Sequence, residues 1–138
     1  MSEFTSSLGA DAIEKMLTKA REMSEKAYAP YSNFHVGAAL LDANGELYGG
    51  CNIENASFGL TVCAERNAVG LAVGSGAAKL EAVCIYASVE TFTYPCGACR
   101  QVLHEFNPQM EIHLLNVKGE HFATRLDLIF GAGFDLKK

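Results

Sequence analysis

The apolar positions open with a stripe: Ile13, Met16, Leu17, Ala20, Met23 and Ala27 recur at intervals of three and four within residues 8–28. That spacing puts them on one face of an amphipathic helix. "YAPYSNF" follows as a connector, and between residues 34 and 52 two extended runs flank "DANGE". Asn44 and Gly45 both tolerate positive φ, so this stretch predicts a β-hairpin. Helical periodicity returns over about 62–73, until "GSG" breaks it. "LEAVCIYAS", 80–88, is a continuous apolar and β-branched run, the pattern of a buried strand.

Pro95 opens a helix predicted over 96–106, with Val102, Leu103 and Phe106 turned inward. "EIHLLNV", 111–117, reads as a further strand, and a turn at "KGE" leads to a last βα piece in "HFATRLDLIF". There Thr124 with Asp127 resembles a capping box for the short final helix. The alternation of helices and strands predicts an α/β domain with helices packed on a mixed sheet. With 138 residues, 49% of them apolar, the chain is expected to form a single domain, 1–138, with a core that needs no disulfides.

Composition narrows the class. Five cysteines are an odd number, and "MSEFTSSLGADAIEKML" has no basic stretch followed by an apolar run. A reduced, cytoplasmic protein without a disulfide framework is the expectation. No segment approaches the roughly 18 apolar residues of a membrane span. A net charge of −5, with no basic cluster beyond Lys137 and Lys138, gives little footprint for nucleic acid, so a small substrate is expected.

Cys96 and Cys99 form C-x-x-C at a helix start, where both sulfurs share one face at a separation suited to one tetrahedral Zn²⁺. Taken alone, the pair also reads as a redox dithiol or as two neighbouring buried cysteines. Cys63, at the start of the other short helix, adds a third sulfur, and helix N-termini lower thiolate pKa values. Three gathered thiolates call for a cation, and zinc is predicted. Cys51 could close a four-cysteine structural site. Cys84, in mid-strand, reads as a small core residue, and His35, His104, His113 and His121 lack ligand spacing. If the fourth position is left to water instead, the site is catalytic. On an ideal helix, position i+2 points away from position i, so spacing alone leaves Glu65 a solvated carboxylate in the first turn.

The combination C-A-E followed by P-C-x-x-C is the three-cysteine form of the zinc deaminase signature, whose glutamate is not a ligand. "CAERNA" and "PCGACRQVLHEF", together with "NFHVGAALLDANGELYGGCNIENASF", strongly resemble cytidine deaminases of the small, homotetrameric class, over about residues 28–106. The resemblance implies a three-layer α/β/α fold with a mixed sheet of about five strands. It implies one zinc per subunit on Cys63, Cys96 and Cys99, with Glu65 shuttling protons. The reaction implied is hydrolysis of cytidine and deoxycytidine to uridine and deoxyuridine with release of ammonia, a step of pyrimidine salvage.

The same resemblance implies that Asn52 and Glu54 hold the ribose, chiefly its 3′-hydroxyl, that Phe34 lines the pyrimidine pocket, and that backbone around Ala64 and Tyr94-Pro95 meets the base. Phe58 stands where relatives often carry tyrosine, and Tyr94 where serine is usual. A C-terminal aromatic of a neighbouring subunit closes the pocket in this class; here "LIFGAGFDLKK" departs from the usual "LLP…F", with Phe130 at the proline position and Phe134 the nearest candidate. Arg66 and Arg100, each beside a motif residue, are expected to donate hydrogen bonds that offset thiolate charge. The resemblance supports this for Arg66, while Arg100 also reads as a solvated helix residue.

Two rivals stand beside this reading. One is blasticidin-S deaminase, which shares the three-cysteine site but not the "NIEN" motif of the cytidine enzymes. The other is a non-catalytic zinc-stabilised interaction domain completed by Cys51. Polynucleotide deaminases are disfavoured by the charge and by cysteine, not histidine, at position 63.

Overall fold

Strand β1 (Val36–Asp42) is buried along its whole length because both of its faces are covered. Ala39 and Leu41 face helix α1 (Ala10–Ser24), whose Met16 and Ala20 are fully enclosed. Ala38 and Leu40 face the opposite layer, which holds α2 (Ala64–Gly74) and α3 (Gly97–Phe106). The other elements are β2 (Leu47–Cys51), β3 (Leu80–Ala87), β4 (Glu111–Leu115), β5 (His121–Arg125) and the short α4 (Leu126–Ile129). This structure, a computed structural model, describes residues 4–136; Lys137 and Lys138 lie outside the described residues, as do residues 1–3.

One five-stranded sheet in the order β2-β1-β3-β4-β5 separates the two helix layers, so the expected three-layer α/β/α arrangement with a mixed sheet is found. Only β3 and β4 pair in parallel, and α3 makes the crossover between them. Strand β1 runs antiparallel to both β2 and β3. The carboxyl ends of β2 and β3 therefore point the same way, beside the amino end of β1. Helices α2 and α3, which follow these strands, both begin at that end of the sheet.

Close packing on the α2 side depends on a glycine. A methyl group added at Gly50 of β2 would stand 2.5 Å from Ala68 N and 2.9 Å from Ala68 Cα, both backbone atoms of α2. Nothing but hydrogen fits there.

Three sequence expectations change. The hairpin does not use positive φ at both Asn44 and Gly45. Gly45 has φ 82°, whereas Asn33, in the loop before β1, is the sole described non-glycine residue with positive φ. Asp42 caps the turn in its place: Oδ1 accepts from Asn44 N (2.9 Å) and Glu46 N (3.0 Å), and Oδ2 from Tyr48 Oη (3.0 Å) and Ala78 N (3.1 Å). Thr124 is not a helix cap. It is a buried strand residue opposite Ile112, and α4 begins after Arg125, whose Nε donates to Asp127 Oδ1 at 2.6 Å. Phe106 is not inward: it remains 41% exposed, beside Val73 and Ala77 in a shallow cleft where α3 ends beyond the layer that covers Leu103.

Two outcomes test this packing. Gly50→Ala should lower stability in urea unfolding by about 2 kcal/mol or more, because a helix backbone has to move. The second concerns Asp42. Burial pushes its carboxyl up, but its hydrogen bonds outweigh that and hold it below the ordinary 3.8. A folded-state value below the unfolded one means that the stabilisation is complete above about pH 4 and is lost as pH falls through the folded value. Asp42→Asn should therefore be less stable than the parent near neutrality, with the gap between their urea midpoints narrowing toward about pH 3.

Candidate active site

Cys63 and Cys96 are not inside their helices. Each is the N-cap, with extended backbone at ψ 156° and 168°. Their side chains consequently reach across the gap between the two helix starts, and Cys99, in the first turn of α3, points up to join them. The three sulfurs lie within 4.8 Å of one another, with Cys63 and Cys96 3.8 Å apart. Four sulfurs or oxygens around zinc, with Zn–S near 2.3 Å, have edges of about 3.8 Å, so this donor set fits a tetrahedral thiophilic cation.

The cap position also decides what Glu65 does. Because Cys63 precedes the helix, the i and i+2 rule of an ideal helix does not apply, and Glu65 turns inward beside the sulfurs. It is 4% exposed, not the solvated carboxylate that spacing alone allowed. Burial pushes it up to about 7, the nearby Cys63 adds to that, and Arg66 and the Cys99 thiol pull the other way. The Cys63 thiol is held down at about 5, by a hydrogen bond from Cys99, against burial, and then by Arg66 and Cys96. Cys99 is driven up, because it donates to Cys63 and is itself buried. The protein alone thus favours a thiolate at Cys63 and a protonated thiol at Cys99, and a cation is needed to ionise Cys99.

Arg66 Nη2 lies 3.5 Å from Cys63 Sγ, and its Nε is buried without a protein partner. Arg100 does not join it. Its Nε donates to Pro95 O (2.8 Å) and its Nη1 to Ile129 O (2.5 Å), so it ties the approach to α3 to the end of α4, and among the described residues it makes no bond to a sulfur. Cys51 is outside the sulfur group and burial pushes its thiol up, which removes the closed four-cysteine site. Cys84 is a fully buried core residue of β3. His113, also buried, is satisfied between Glu111 Oε1 (2.9 Å) and His121 Nε2 (2.8 Å), far along the sheet in sequence and partnership from the sulfurs.

A cavity of about 330 Å³ opens over Cys63, Cys96 and Glu65, lined also by Phe34, Asn52, Glu54, Ala64 and Tyr94. The segment carrying Asn52 and Glu54 is extended, held by Ile53 bridging both Tyr28 and Val62, so alternate side chains share the cavity face. Asn52 is bound to the loop opposite, with Oδ1 accepting from Val36 N (2.9 Å) and Nδ2 donating to Phe34 O (2.8 Å). Phe134 lies outside this cavity and is 66% exposed; its backbone N–H and C=O are both taken by the Gln101 side chain at 3.0 Å. Phe130 packs on the core and against His104.

Sequence reasoning missed Val36, Thr61 and Thr93 in the lining. Two of these were legible by the period of two in extended backbone, from Phe34 to Val36 and from Cys63 back to Thr61. Thr93 carried no signal.

Two helix starts that gather three sulfurs beside a buried glutamate, with Cys63, Cys96 and Glu65 lining one cavity, have the arrangement of the zinc-dependent deaminase class. Comparison with known proteins agrees. The description "Cytidine and deoxycytidylate deaminase zinc-binding region" matches residues 10–114, and the chain belongs to that family. It is 47% identical over 123 residues to a cytidine deaminase of Sporosarcina psychrophila, covering 88% of this chain and 90% of that one. A Halalkalibacterium halodurans cytidine deaminase is 44% identical over 108 residues, 78% of this chain and 82% of its own. Among solved structures, cytidine deaminase from Burkholderia pseudomallei superposes with a TM-score of 0.84 at 40% identity, over 88% of this chain and 98% of that one. No described helix is long and apolar enough to cross a membrane.

The ligand set has a direct check. After reconstitution with zinc, Cys63→Ala, Cys96→Ala and Cys99→Ala should each lose most of the bound metal by elemental analysis, and Cys51→Ala should keep the parent's metal-to-protein ratio.

Proposed function

We propose that this protein is a cytidine deaminase that hydrolyses the exocyclic amine of cytidine and deoxycytidine, giving uridine or deoxyuridine and ammonia. The observation that carries the reading is Glu65: a carboxylate 4% exposed, beside three sulfurs that suit zinc, in a cavity large enough for a nucleoside. Zinc on Cys63, Cys96 and Cys99 would supply the Lewis acidity that makes water a nucleophile near neutral pH.

The chain's own residues do the rest. Glu65 accepts a proton from the attacking water and delivers it to N3 of the pyrimidine, which makes C4 electrophilic. It then moves the remaining proton of the hydroxyl added at C4 to the amine, which leaves as ammonia while C4 keeps the oxygen, so water and cytidine balance as uridine and ammonia. Phe34 packs on the pyrimidine, and the backbone at Ala64 and Tyr94 meets its edge. Arg66 offsets the charge of the thiolates through its bond to Cys63. Asn52 and Glu54 receive the sugar hydroxyls.

No lysine, arginine or histidine is among the residues lining the cavity, while Glu54 and Glu65 are. A phosphate would meet carboxylates and sulfurs there with no cationic side chain to offset them, which favours nucleosides over nucleotides. We read the chain, 1–138, as one catalytic domain of a cytoplasmic homotetramer in pyrimidine salvage. Support for assembly comes from the exposed apolar side chains Tyr31, Phe58 (75%) and Leu60 (66%) beside the cavity, and from Phe134, whose ring is exposed beyond its backbone clamp.

Glu65→Gln provides the test. It should retain zinc and folding while conversion of cytidine, followed by ultraviolet absorbance, falls by about 10³-fold or more. Undiminished turnover would overturn the mechanism.

A further inference from the structure

The loop entering β1 is wrapped around a carboxylate. Glu54 Oε1 accepts from the backbone N–H groups of Tyr31 (2.9 Å) and Ser32 (3.2 Å), and Oε2 accepts from Ser32 Oγ. The same Ser32 oxygen accepts from Phe34 N at 3.0 Å. Phe34 O is in turn held by Asn52 Nδ2. Glu54, Ser32, Phe34 and Asn52 thus form one hydrogen-bonded chain across the sugar end of the cavity.

The reversal that makes this possible is at Asn33, with φ 58°, a left-handed conformation that asparagine tolerates better than most residues. It is fixed by Asn33 N donating to Ala29 O (3.0 Å) and by the bond between its Oδ1 and His35 Nε2 (3.1 Å). A carboxylate offers about four lone-pair sites. Two on Oε1 are filled by backbone N–H groups and one on Oε2 by Ser32, which leaves a single site, on Oε2, for a hydroxyl of the ligand. Hydrogen bonding by Ser32 is also the foremost cause holding the Glu54 carboxyl below its ordinary range, so it stays an acceptor.

We propose that Ser32 is a positioning residue for sugar recognition: by donating to Glu54 Oε2 while accepting from Phe34 N, its hydroxyl fixes which lone pair of Glu54 faces the ligand. The preference for nucleosides bearing the hydroxyl that Glu54 accepts follows from that orientation. The inference rests on Glu54 as a sugar-binding group, as proposed above. Backbone N–H groups would still hold Oε1 without Ser32, but the carboxylate could turn about that anchor and its free site could pair with water instead.

The test is steady-state kinetics of the zinc-loaded enzyme on cytidine and 3′-deoxycytidine, for the parent, Ser32→Ala, Ser32→Thr and Glu54→Gln. Ser32→Ala should raise KM for cytidine about tenfold with little change in kcat, the effect expected on losing a hydrogen bond to a charged group. It should leave kcat/KM for 3′-deoxycytidine unchanged, and Ser32→Thr, which keeps the hydroxyl, should retain the parent's preference. An equal loss on both substrates would show a merely structural loop and overturn the proposal. So would a preserved preference in Ser32→Ala where Glu54→Gln abolishes it. If neither variant alters the preference, the sugar-binding reading of Glu54 has failed as well. Should Ser32→Ala not fold, judged by thermal melting and zinc content, the near-isosteric Ser32→Cys takes its place in the same comparison.

Discussion

Three sulfurs can share one cation only if two helices begin side by side, and in this fold the meeting is set by how closely α2 can lie on strand β2. Gly50 sits under Ala68 with no room for a side chain. A larger residue would lift α2 off the sheet, and with it Cys63 at its cap and Glu65 two residues further on. Antiparallel pairing of β1 with both β2 and β3 then sends the carboxyl ends of those two strands the same way, so that α3 starts beside α2. The metal centre is a consequence of strand direction plus one small residue.

Gathering acidic groups at that point creates an electrostatic problem, and the helices largely solve it. Unpaired N–H groups at two helix starts face the sulfurs, as in the bond from Cys99 N to Cys96 Sγ at 3.4 Å. Arg66 brings a full positive charge to Cys63 from the residue next to Glu65. Even so, Cys63 is drawn down while Cys99 and Glu65 are pushed up. The site is preorganised for a cation that the side chains cannot replace.

The far end of the cavity is organised differently, by cross-links between loops instead of by helix ends. Asn52 spends both ends of its amide on the backbone of residues 34 and 36, and Glu54 is gripped by residues 31 and 32. The Asn52 and Glu54 side chains are therefore fixed to the same loop that carries Phe34. At the other side of the molecule, Gln101 and Arg100 of the metal-bearing helix hold the C-terminal segment through its backbone at Phe134 and Ile129, which couples the tail to α3.

Local patterning in the sequence determined the helix stripe of α1, the hairpin, the buried run of β3, and the pairing of Cys96 with Cys99. All of these depend on residue identity and short spacing. Where a reading failed, the reason was a longer-range contact. Asn44 was not needed at positive φ because Asp42 caps the turn with help from Tyr48 and from Ala78, which is distant in the chain. Thr124 could not cap a helix because pairing with Ile112 drew it into the sheet. Arg100 turned from the thiolates to carbonyls at 95 and 129. The burial of Glu65, the exclusion of Cys51 and the lone pair left on Glu54 were decided by tertiary structure, since each depends on how loops and helix starts from separate parts of the chain are brought together, and no local spacing encodes that.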